Sequence, residues 1–333
     1  MIVFPNAKIN LGLRITRRRP DGYHDIESLM VPVAWHDILE VVPGKGSAHT
    51  LTVTGRTVDC PPEANLVMKA VRALEDHLGA PLPPLDFYLR KIIPDGAGMG
   101  GGSADASFAL MAVNDLLGLG LSSDTLASVA SRVGADCPFF IYNKVMAATG
   151  TGTTLIAAPE AEDALRRLGL TIAIAKPQAG VSTKEAYAGV VPALPDGLLP
   201  APIVATVAPD GWTAAGLVND FEPSVMGKCH EIARVKAAME ELNPVYCAMT
   251  GSGSGSLSMM MLTNCQPASG AYSPDVTHSL PPCWPTDLYA PLLNDNAATI
   301  VKKVEFISGL ATFLLSIFNI LYSKDHDQKQ YYR

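Results

Sequence analysis

Apolar and polar residues alternate along the N-terminal segment AKINLGLRI, and this period of two predicts a β-strand. The apolar face of the strand consists of Ile9, Leu11, Leu13 and Ile15. The opposite face consists of Lys8, Asn10, Gly12 and Arg14. Turn-forming residues follow at Pro20-Asp21-Gly22, and the apolar stretch at 26–42 predicts one or two further strands.

A helical period comes next, over the segment EANLVMKAVRALEDHLG. The apolar positions of this helix are Leu66, Ala70, Leu74 and Leu78. Gly79 marks its end. The alternating segment LDFYLRKIIP predicts a strand that leads into a loop with five glycines at 96–102. Beyond the loop, one helix is predicted to end near Gly118, and another to begin at a cap formed by Ser122 or Ser123.

Strands and helices continue through the second half of the chain. FFIYN at 139–143 predicts a strand, and LTIAIAKPQ at 170–178 predicts another. STKEAYAGV and EIARVKAAMEEL predict helices, and the Pro-rich stretch at 191–209 between them predicts a linker. The segment TGSGSGS then predicts a second Gly/Ser loop. This mixture predicts an α+β fold rather than a regularly alternating parallel sheet.

Composition narrows the class of protein. The chain has 333 residues, enough for about two domains. A hydrophobic content of 48% with 17% charged residues excludes a disordered chain, and a net charge of −7 argues against a nucleic-acid partner. No Cys-x-x-Cys occurs, so we expect free thiols in a cytoplasmic protein. The N-terminal residues lack the pattern of a signal peptide.

The glycine-rich loop precedes a helix N-terminus, where free N–H groups and the helix dipole favour an anion. A flexible loop is the alternative. GAGMGG satisfies the dinucleotide pattern G-x-G-x-x-G, but the position about 20 residues on, where an acidic residue should end a strand, falls in a polar loop. No Gly-Lys-Ser/Thr closes the loop as in a P-loop. The remaining interpretation is a loop that binds phosphate without a lysine of its own. The charge of the phosphates would then be balanced by Mg²⁺, the helix dipole and a lysine elsewhere in the chain.

Five segments occur in the order seen in the GHMP kinase superfamily: PNAKINLGLRI, RPDGYHDIESLM, IPDGAGMGGGSADAS, GADCPFFI and MTGSGSG. Within it, the first two segments together are most similar to the 4-diphosphocytidyl-2-C-methyl-D-erythritol kinase family, and LVNDFEP at 217–223 also fits. The resemblance covers residues 1–254. It implies ATP, Mg²⁺ and transfer of the γ-phosphoryl group to the 2-hydroxyl of a methylerythritol that carries cytidine diphosphate, in the non-mevalonate isoprenoid pathway.

The resemblance also implies a two-domain α+β fold. A ribosomal-protein-S5-like N-terminal domain is expected at 1–153, with the ATP loop and the catalytic pair, and a ferredoxin-like α/β sandwich at 154–258. The family continues with a short apolar strand, a helix and a final strand. After Ser254 this chain becomes rich in Pro and Ser and predicts none of the three, so the second domain is expected to be incomplete.

We interpret residues 259–333 as an atypical tail, for which a native origin, a frameshift and a fusion all stay open. Its apolar run at 306–322 is shorter than the about 20 residues of a typical membrane span. This length favours a buried helix over a membrane anchor.

Asp136, in GADCP, is the candidate general base. A carboxylate between a helix end and an apolar strand can face a cleft, whereas the residues alone favour an Asx turn before Pro138. Lys8 is the candidate partner, although a lysine in a strand is usually solvated. The resemblance assigns both roles, because the catalytic aspartate and lysine of the family match these positions. A cation beside Asp136 would keep the carboxylate ionised and favour the developing alkoxide.

The resemblance places further residues around the two substrates. On the ATP side these are Asn65, Pro94, Gly96, Gly98, Gly100, Gly101, Gly102 and Ser103. On the acceptor side they are Asn10, Tyr23, His24, Thr183 and Tyr187. His24 is expected to hydrogen-bond to the cytosine and the two tyrosines to pack against it. Ser103 is expected to reach magnesium through Mg-ATP, and no cluster of metal-ligating side chains is predicted.

A third glycine motif is expected to steady the site, or to serve as a simple linker. Its residues are Gly251, Ser252 and Gly253. Three other functions remain open from sequence. One is a homoserine- or mevalonate-type kinase, against which PDGYH speaks. Another is a non-catalytic nucleotide-binding relic, and the last is a dehydrogenase. The expected assembly is a monomer or homodimer, with a small-molecule substrate and neither nucleic acid nor membrane as a partner.

Overall fold

The computed structural model describes residues 1–175, 181, 183–193, 199–251 and 258–263. The strands of these residues are β1 (Ile2–Val3), β2 (Asn6–Arg18), β3 (His24–His36), β4 (Ile38–Pro43), β5 (Thr50–Gly55), β6 (Leu85–Lys91), β7 (Met146–Thr149), β8 (Thr154–Ala157), β9 (Thr171–Ala175), β10 (Tyr246–Thr250) and β11 (Ser258–Thr263). The α-helices of the same residues are α1 (Leu66–Leu78), α2 (Gly101–Leu116), α3 (Ser123–Ser131), α4 (Cys137–Tyr142), α5 (Pro159–Leu168), α6 (Thr183–Ala188), α7 (Pro200–Thr206), α8 (Glu222–Lys228) and α9 (His230–Glu240). Short 3-10 helices lie at Pro62–Ala64 and Pro209–Gly211.

The described strands form three sheets. Their orders are β1-β4-β6-β5, β2-β3-β7-β8 and β10-β11-β9. Every ladder is antiparallel except the parallel pair β5 and β6. This mixture of hairpins and helices confirms the predicted α+β class. The predicted domain boundaries at 153 and 258 stay predictions, and β7 pairs with β8 across the first of them.

The predicted N-terminal strand forms the first arm of a long hairpin, β2–β3, closed by the turn at 20–22. Residues 6–15 of β2 are all buried, on the polar face as well as the apolar one. Gly12 has a φ of +66°, and a Cβ there would lie 2.8 Å from Leu217 Cδ1. The ladder shifts register between Leu11 and Leu13. A glycine is therefore required where the later part of the chain packs onto this strand.

Three predicted helices lie near their expected bounds. In α1, the Asn65 side chain accepts a hydrogen bond from the Val67 N–H at 2.9 Å, and Gly79 ends the helix with a φ of +67°. The cap of α3 is Ser122, which decides between the two predicted serines. Helices α1, α2 and α3 share a buried core with β4 and β6. This core fixes the N-terminus of α2 relative to β6.

Two predictions from local pattern are wrong. FFIYN forms helix α4 rather than a strand, because Pro138 fits the first turn of a helix and Phe139 and Phe140 are both buried. A short apolar run does not distinguish a buried strand from a buried helix. The Pro-rich stretch at 191–209 contains helix α7, which begins with Pro200 and buries Ile203 and Val204.

The expectation that no strand follows Ser254 is also wrong. Strand β11 lies between β10 and β9 and pairs with both. A strand with neighbours on both edges often has an unbroken apolar run rather than alternation, as in SMMMLT at 258–263. The predicted tail beyond it, including the apolar run at 306–322, lies outside the described residues. Among the residues that are described, no helix is long and apolar enough to cross a bilayer.

Candidate active site

A cleft opens at the N-terminus of α2, directly after the glycine-rich loop. The residues that line it are Lys8, Leu66, Pro94, Asp95, Gly96, Ala97, Gly98, Gly100, Gly101, Gly102, Ser103 and Asp136. The sequence predicts all of these as site residues except Leu66, Asp95 and Ala97. The structure therefore brings the loop and the candidate catalytic pair together in one cleft.

The glycines of the loop lie against protein on their inner side. Gly98 and Gly100 have φ values of +72° and +69°, which residues with a side chain rarely adopt. A Cβ on Gly98 would lie 2.9 Å from the Cα of Gly251, and one on Gly100 would lie 2.7 Å from the ring of Phe140. A Cβ on Gly101 would lie 3.0 Å from Ile93 Cγ2. Packing thus requires the bare backbone, and the first N–H groups of α2 have no partner within the helix.

Lys8 and Asp136 face each other at the edge of this cleft. Lys8 Nζ lies 3.6 Å from Asp136 Oδ2, with the lysine side chain 4% and the aspartate side chain 34% exposed. The Asp136 side chain makes no capping hydrogen bond to α4, which does not fit an Asx-turn role. The Lys8 N–H donates to the Met99 carbonyl at 2.9 Å, which ties β2 to the loop. The ammonium is buried and the carboxylate is accessible to a substrate.

Asn10 connects this pair to the rest of the fold. Its Oδ1 accepts a hydrogen bond from Lys8 Nζ at 2.5 Å, and its Nδ2 donates to Ser28 Oγ at 2.7 Å. Its N–H donates to Thr250 Oγ1 at 2.8 Å. Asn10 is 1% exposed, so these bonds are shielded from water. Asn10, a residue predicted to bind the phosphoryl-acceptor substrate, therefore fixes the side chain of Lys8 in this structure.

The third glycine motif lies behind the glycine-rich loop. Gly251 has a φ of +88°, and a Cβ there would lie 2.5 Å from the Cα of Gly98. The two backbones are in direct contact. Ser252 and Gly253, the other predicted residues of this motif, lie outside the described residues. The motif thus meets the loop at Gly251, as a supporting role requires.

Some of the residues predicted to bind the phosphoryl-acceptor substrate are in contact with each other. The rings of His24 and Tyr187 are stacked, with centroids 4.8 Å apart and planes at 25°, and Tyr187 also contacts Phe221 edge-on. Tyr23 is 67% exposed beside the hairpin turn. The backbone of Thr183 begins α6, but its side chain is outside the described residues. Of the predicted residues that bind the nucleobase, His24 and Tyr187 are therefore in contact, whereas Tyr23 is exposed.

The electrostatics of this stack connect it to the candidate base. Burial raises the pKa of Tyr187, and the negative charge of Asp136 raises it further. The Tyr187 hydroxyl is therefore influenced by the charge of Asp136. Burial, and then the charge of Arg18, lower the pKa of His24. Neutral imidazole has both a hydrogen-bond donor and an acceptor, which suits it to the edge of a base.

Asn65 lies at the rim rather than in the cleft. It is 8% exposed and its side-chain oxygen caps α1, and it is not among the cleft-lining residues although its neighbour Leu66 is. The capping bond occupies the carbonyl oxygen of the side chain. A nucleotide contact by Asn65 stays a prediction.

A buried ionic cluster that sequence analysis does not identify lies beneath the loop. Lys91, at the end of β6, ion-pairs with Asp37 and with Asp105, the latter at 2.7 Å. Asp37 also accepts the N–H of Ile93 at 2.8 Å. A Cβ on Gly101 would lie 3.3 Å from Lys91 Nζ. The cluster therefore fixes the junction between β6, the loop and α2.

Asp105 is the member of this cluster whose ionised form is disfavoured by its surroundings. Burial raises its pKa to about 7, the Lys91 ammonium opposes this rise, and the Asp37 carboxylate adds to it. Its Oδ1 is buried without a hydrogen-bond partner among the described residues. An alternating segment such as LDFYLRK gives no signal that its final lysine turns inward between two aspartates.

Asp105→Asn is expected to flatten the dependence of stability on pH. Because the folded-state pKa is raised, the stabilisation from the neutral carboxyl is complete at low pH and is lost as pH rises through about 7. Asparagine is neutral at every pH. Calorimetry at about pH 5 and about pH 8 should show the variant gaining in Tm relative to the wild type as pH rises. Asp115→Asn, an exposed change on the same helix, is the control, and a gain no larger than that of the control contradicts the assignment.

The chain is similar in sequence to known kinases. The model for the GHMP kinases N terminal domain matches residues 65–144, which include the glycine-rich loop and Asp136. A 4-diphosphocytidyl-2-C-methyl-D-erythritol kinase of Parabacteroides distasonis is 46% identical over 254 residues, which are 76% of this chain and 89% of the relative. The chain belongs to the 4-diphosphocytidyl-2-C-methyl-D-erythritol kinase family. A family member from Porphyromonas gingivalis is 40% identical and covers 76% of this chain and 90% of its own length.

Solved structures support the family fold. A crystal structure of 4-(cytidine 5'-diphospho)-2C-methyl-D-erythritol kinase matches with a TM-score of 0.62 and 29% identity, over 79% of this chain and 90% of the other. A mevalonate kinase of Methanococcus jannaschii matches with a TM-score of 0.55 and 15% identity, over 79% and 90% of the two chains. The second likeness shows the fold alone. Together they confirm the predicted two-domain GHMP kinase fold.

Several residues of the site are absent from the sequence predictions. Thr250 precedes the third glycine motif and could have been proposed as part of it. Ser28 meets Asn10 only through the register of the β2–β3 hairpin, which the sequence does not specify. Phe140 belongs to a segment predicted as a strand. These contacts join residues far apart in the chain, and no local pattern encodes them.

Proposed function

We propose that the chain transfers the γ-phosphoryl group of ATP to the 2-hydroxyl of 4-diphosphocytidyl-2-C-methyl-D-erythritol, a step of the non-mevalonate isoprenoid pathway. The observation that carries this proposal is the Lys8–Asp136 pair, 3.6 Å apart, in the cleft that the glycine-rich loop lines. Family membership supplies the substrate class. A cytoplasmic location and the oligomeric state remain predictions from the sequence.

Asp136 serves as the general base. Its carboxylate is partly exposed in the cleft, so it can accept the proton of the acceptor hydroxyl as that oxygen attacks the γ-phosphorus. Lys8, held by Asn10, places a positive charge beside the same position and stabilises the oxygen as it loses its proton. The proton therefore moves from the hydroxyl to the Asp136 carboxylate.

The nucleotide fits the loop. The N-terminus of α2 and the backbone of residues 96–102 form a surface without side chains, and its N–H groups can donate to the phosphate oxygens. Lys8 is the cleft-lining cation beside them. The loop also leaves Ser103 at the cleft wall. These features match a polyphosphate rather than a neutral ligand.

Magnesium would accompany the nucleotide. Within the described ranges no group of three or more His, Cys, Asp or Glu side chains could hold a metal ion. Ser103 lines the cleft and could contribute its oxygen to the ion. When bound, the ion neutralises charge on the phosphates that react.

The acceptor's cytidine diphosphate end would occupy the wall formed by His24 and Tyr187. An aromatic ring offers stacking area to a flat base, and a neutral imidazole offers one donor and one acceptor to its edge. Homoserine and mevalonate have no base and would leave this wall unused.

His24→Ala is expected to weaken binding of the acceptor and to leave ATP binding unchanged. The loss should be about 1–3 kcal/mol, the scale of a buried hydrogen bond that is removed. Titration calorimetry with cytidine diphosphate and with ATP measures both affinities on the same preparation. His77→Ala, an exposed change on α1, is the matched control. Equal affinity of the His24 and His77 variants for cytidine diphosphate would remove His24 from the pocket.

A panel of acceptors tests the function itself. We expect ADP formation with 4-diphosphocytidyl-2-C-methyl-D-erythritol at a kcat/KM at least about a hundredfold above that with homoserine or mevalonate, because remote binding energy positions the reacting hydroxyl. Comparable rates with the small alcohols would assign another GHMP kinase activity. Binding of ATP without turnover on any acceptor would indicate a nucleotide-binding relic, and binding of NAD but not ATP a dehydrogenase.

A further inference from the structure

Asn219 belongs to the segment LVNDFEP at 217–223, none of whose residues lines the cleft. Its side chain is 3% exposed. Its Nδ2 donates to the carbonyl of Met249 at 3.0 Å and to that of Gly251 at 3.4 Å, and its Oδ1 accepts the N–H of Phe221 at 3.0 Å. Both ends of the amide are therefore engaged, and its orientation is fixed.

The segment that Asn219 holds, 249–251, lies against the phosphate loop. We call it the bridging segment. The Cα of Gly251 is so close to Gly98 that a Cβ on either residue would lie 2.9 Å or less from the backbone of the other. Tightly packed backbones transmit small displacements. A shift of the bridging segment would therefore move Gly98, which lines the nucleotide cleft.

The bridging segment also reaches the catalytic lysine. Thr250, which is fully buried, accepts the N–H of Asn10 at 2.8 Å through its hydroxyl. Asn10 in turn accepts a hydrogen bond from Lys8. One short stretch of the second half of the chain thus contacts both the phosphate loop and the strand that carries Lys8.

We propose that Asn219 is a positioning residue of the ATP site, which fixes the bridging segment and through Gly251 holds the phosphate loop in the geometry that receives the nucleotide. This inference rests on the proposed function. Asn219 is not among the residues that line the cleft. Its effect on the nucleotide passes through two contacts, first Asn219 to Gly251 and then Gly251 to Gly98.

Asn219→Asp removes the hydrogen-bond donor of the side chain and keeps the acceptor. An aspartate has the same shape and keeps an oxygen that can accept the Phe221 N–H, so α8 and the ring contact between Phe221 and Tyr187 are retained. It has no N–H group to donate, and it places a negative charge beside two carbonyl oxygens. The change therefore releases the bridging segment, while the wall formed by His24 and Tyr187 stays in place.

The test measures the affinities of the full-length variant for ATP and for cytidine diphosphate by titration calorimetry. For Asn219→Asp we expect ATP affinity to fall at least about tenfold, which corresponds to ~1.4 kcal/mol, and cytidine diphosphate affinity to stay within about twofold. A merely structural role would lower both affinities together or neither. ATP affinity equal to that of the wild type would overturn the proposal, and so would an equal fall in both affinities.

Asn114→Asp is the matched control. Asn114 is also a buried asparagine, and its side chain donates to and accepts from the backbone of Leu121 at the far end of α2. We expect this variant to lose thermal stability and to keep its ATP affinity within about twofold of the wild type. An ATP affinity lowered as much in the control as in Asn219→Asp would overturn the proposal.

Gly251→Ala provides a second variant if Asn219→Asp does not fold. Its methyl group would press on Gly98 without altering Asn219, so ATP affinity should fall by at least about tenfold. Wild-type ATP affinity in this variant would overturn the proposal. Because binding is measured directly, a wild-type chain that binds ATP without phosphorylating the acceptor contradicts the proposed function alone.

Discussion

Asp136→Asn is expected to lower turnover by about 10²–10⁴-fold, the typical contribution of a general acid or base. The amide fits the same space beside Lys8 but cannot accept the proton of the acceptor hydroxyl. ATP affinity should stay within about twofold of the wild type, because the phosphate loop is untouched. Rapid-quench measurement of ADP formation together with ATP titration separates the two quantities. Asp115→Asn removes an exposed charge from α2 and should leave turnover near the wild-type value.

The Lys8–Asp136 contact predicts that substitutions of the two residues have non-additive effects on turnover. Lys8→Ala should also lower turnover, and the double variant should lose less than the product of the two single effects, because residues that act as a unit are not additive. A drop of less than about tenfold for Asp136→Asn would show that Asp136 is not the base. Fully multiplicative losses would show that the two side chains act independently.

Gly100→Ala should lower kcat/KM for ATP by at least about thirtyfold, or about 2 kcal/mol, within the range for a strained backbone position. Gly100 caps the start of α2 with a φ of +69°, and a Cβ would lie 2.7 Å from the Phe140 ring and 3.3 Å from Lys8 Cγ. The methyl group would displace the loop, the lysine or both. Steady-state kinetics with ATP as the varied substrate measure the loss.

The other end of α2 provides the control for Gly100. Gly118 has a φ of +61°, and nothing lies within 4 Å of the position a Cβ would take. Gly118→Ala therefore introduces the same kind of backbone strain without the contacts to Phe140 and Lys8. We expect a lower Tm and nearly unchanged kcat/KM. Equal kinetic losses in the two variants would mean that strain in α2, rather than the loop, determines ATP use.

Local patterns in the sequence predict the elements that hold the site. The period of two in β2 places Lys8 and Asn10 on one face, and both are found there, although buried rather than solvated. Gly79 and Gly118 follow the ends of their helices in the left-handed conformation, as expected of helix stops. These features depend on a few neighbouring residues, so a single sequence carries them.

Tertiary packing decides the elements that the sequence misassigns. FFIYN becomes a helix because Phe139 and Phe140 pack beneath α2 and β3, and SMMMLT becomes a strand because partners flank it on both sides. The bond between Asn10 and Thr250 spans 240 positions of the chain. The inward turn of Lys91 depends on Asp37, between β3 and β4, and on Asp105 of α2. Such pairings are properties of the folded chain and have no local signature.

The proposed function is tested most directly by identifying the product. The full-length chain is incubated with ATP, Mg²⁺ and 4-diphosphocytidyl-2-C-methyl-D-erythritol, and the mixture is followed by phosphorus and carbon NMR. We expect a new phosphomonoester coupled to carbon 2 of the erythritol, one ADP for each product formed, and an intact cytidine diphosphate group. Equal phosphorylation of methylerythritol without cytidine diphosphate, or a phosphate on any other oxygen, would contradict the assignment.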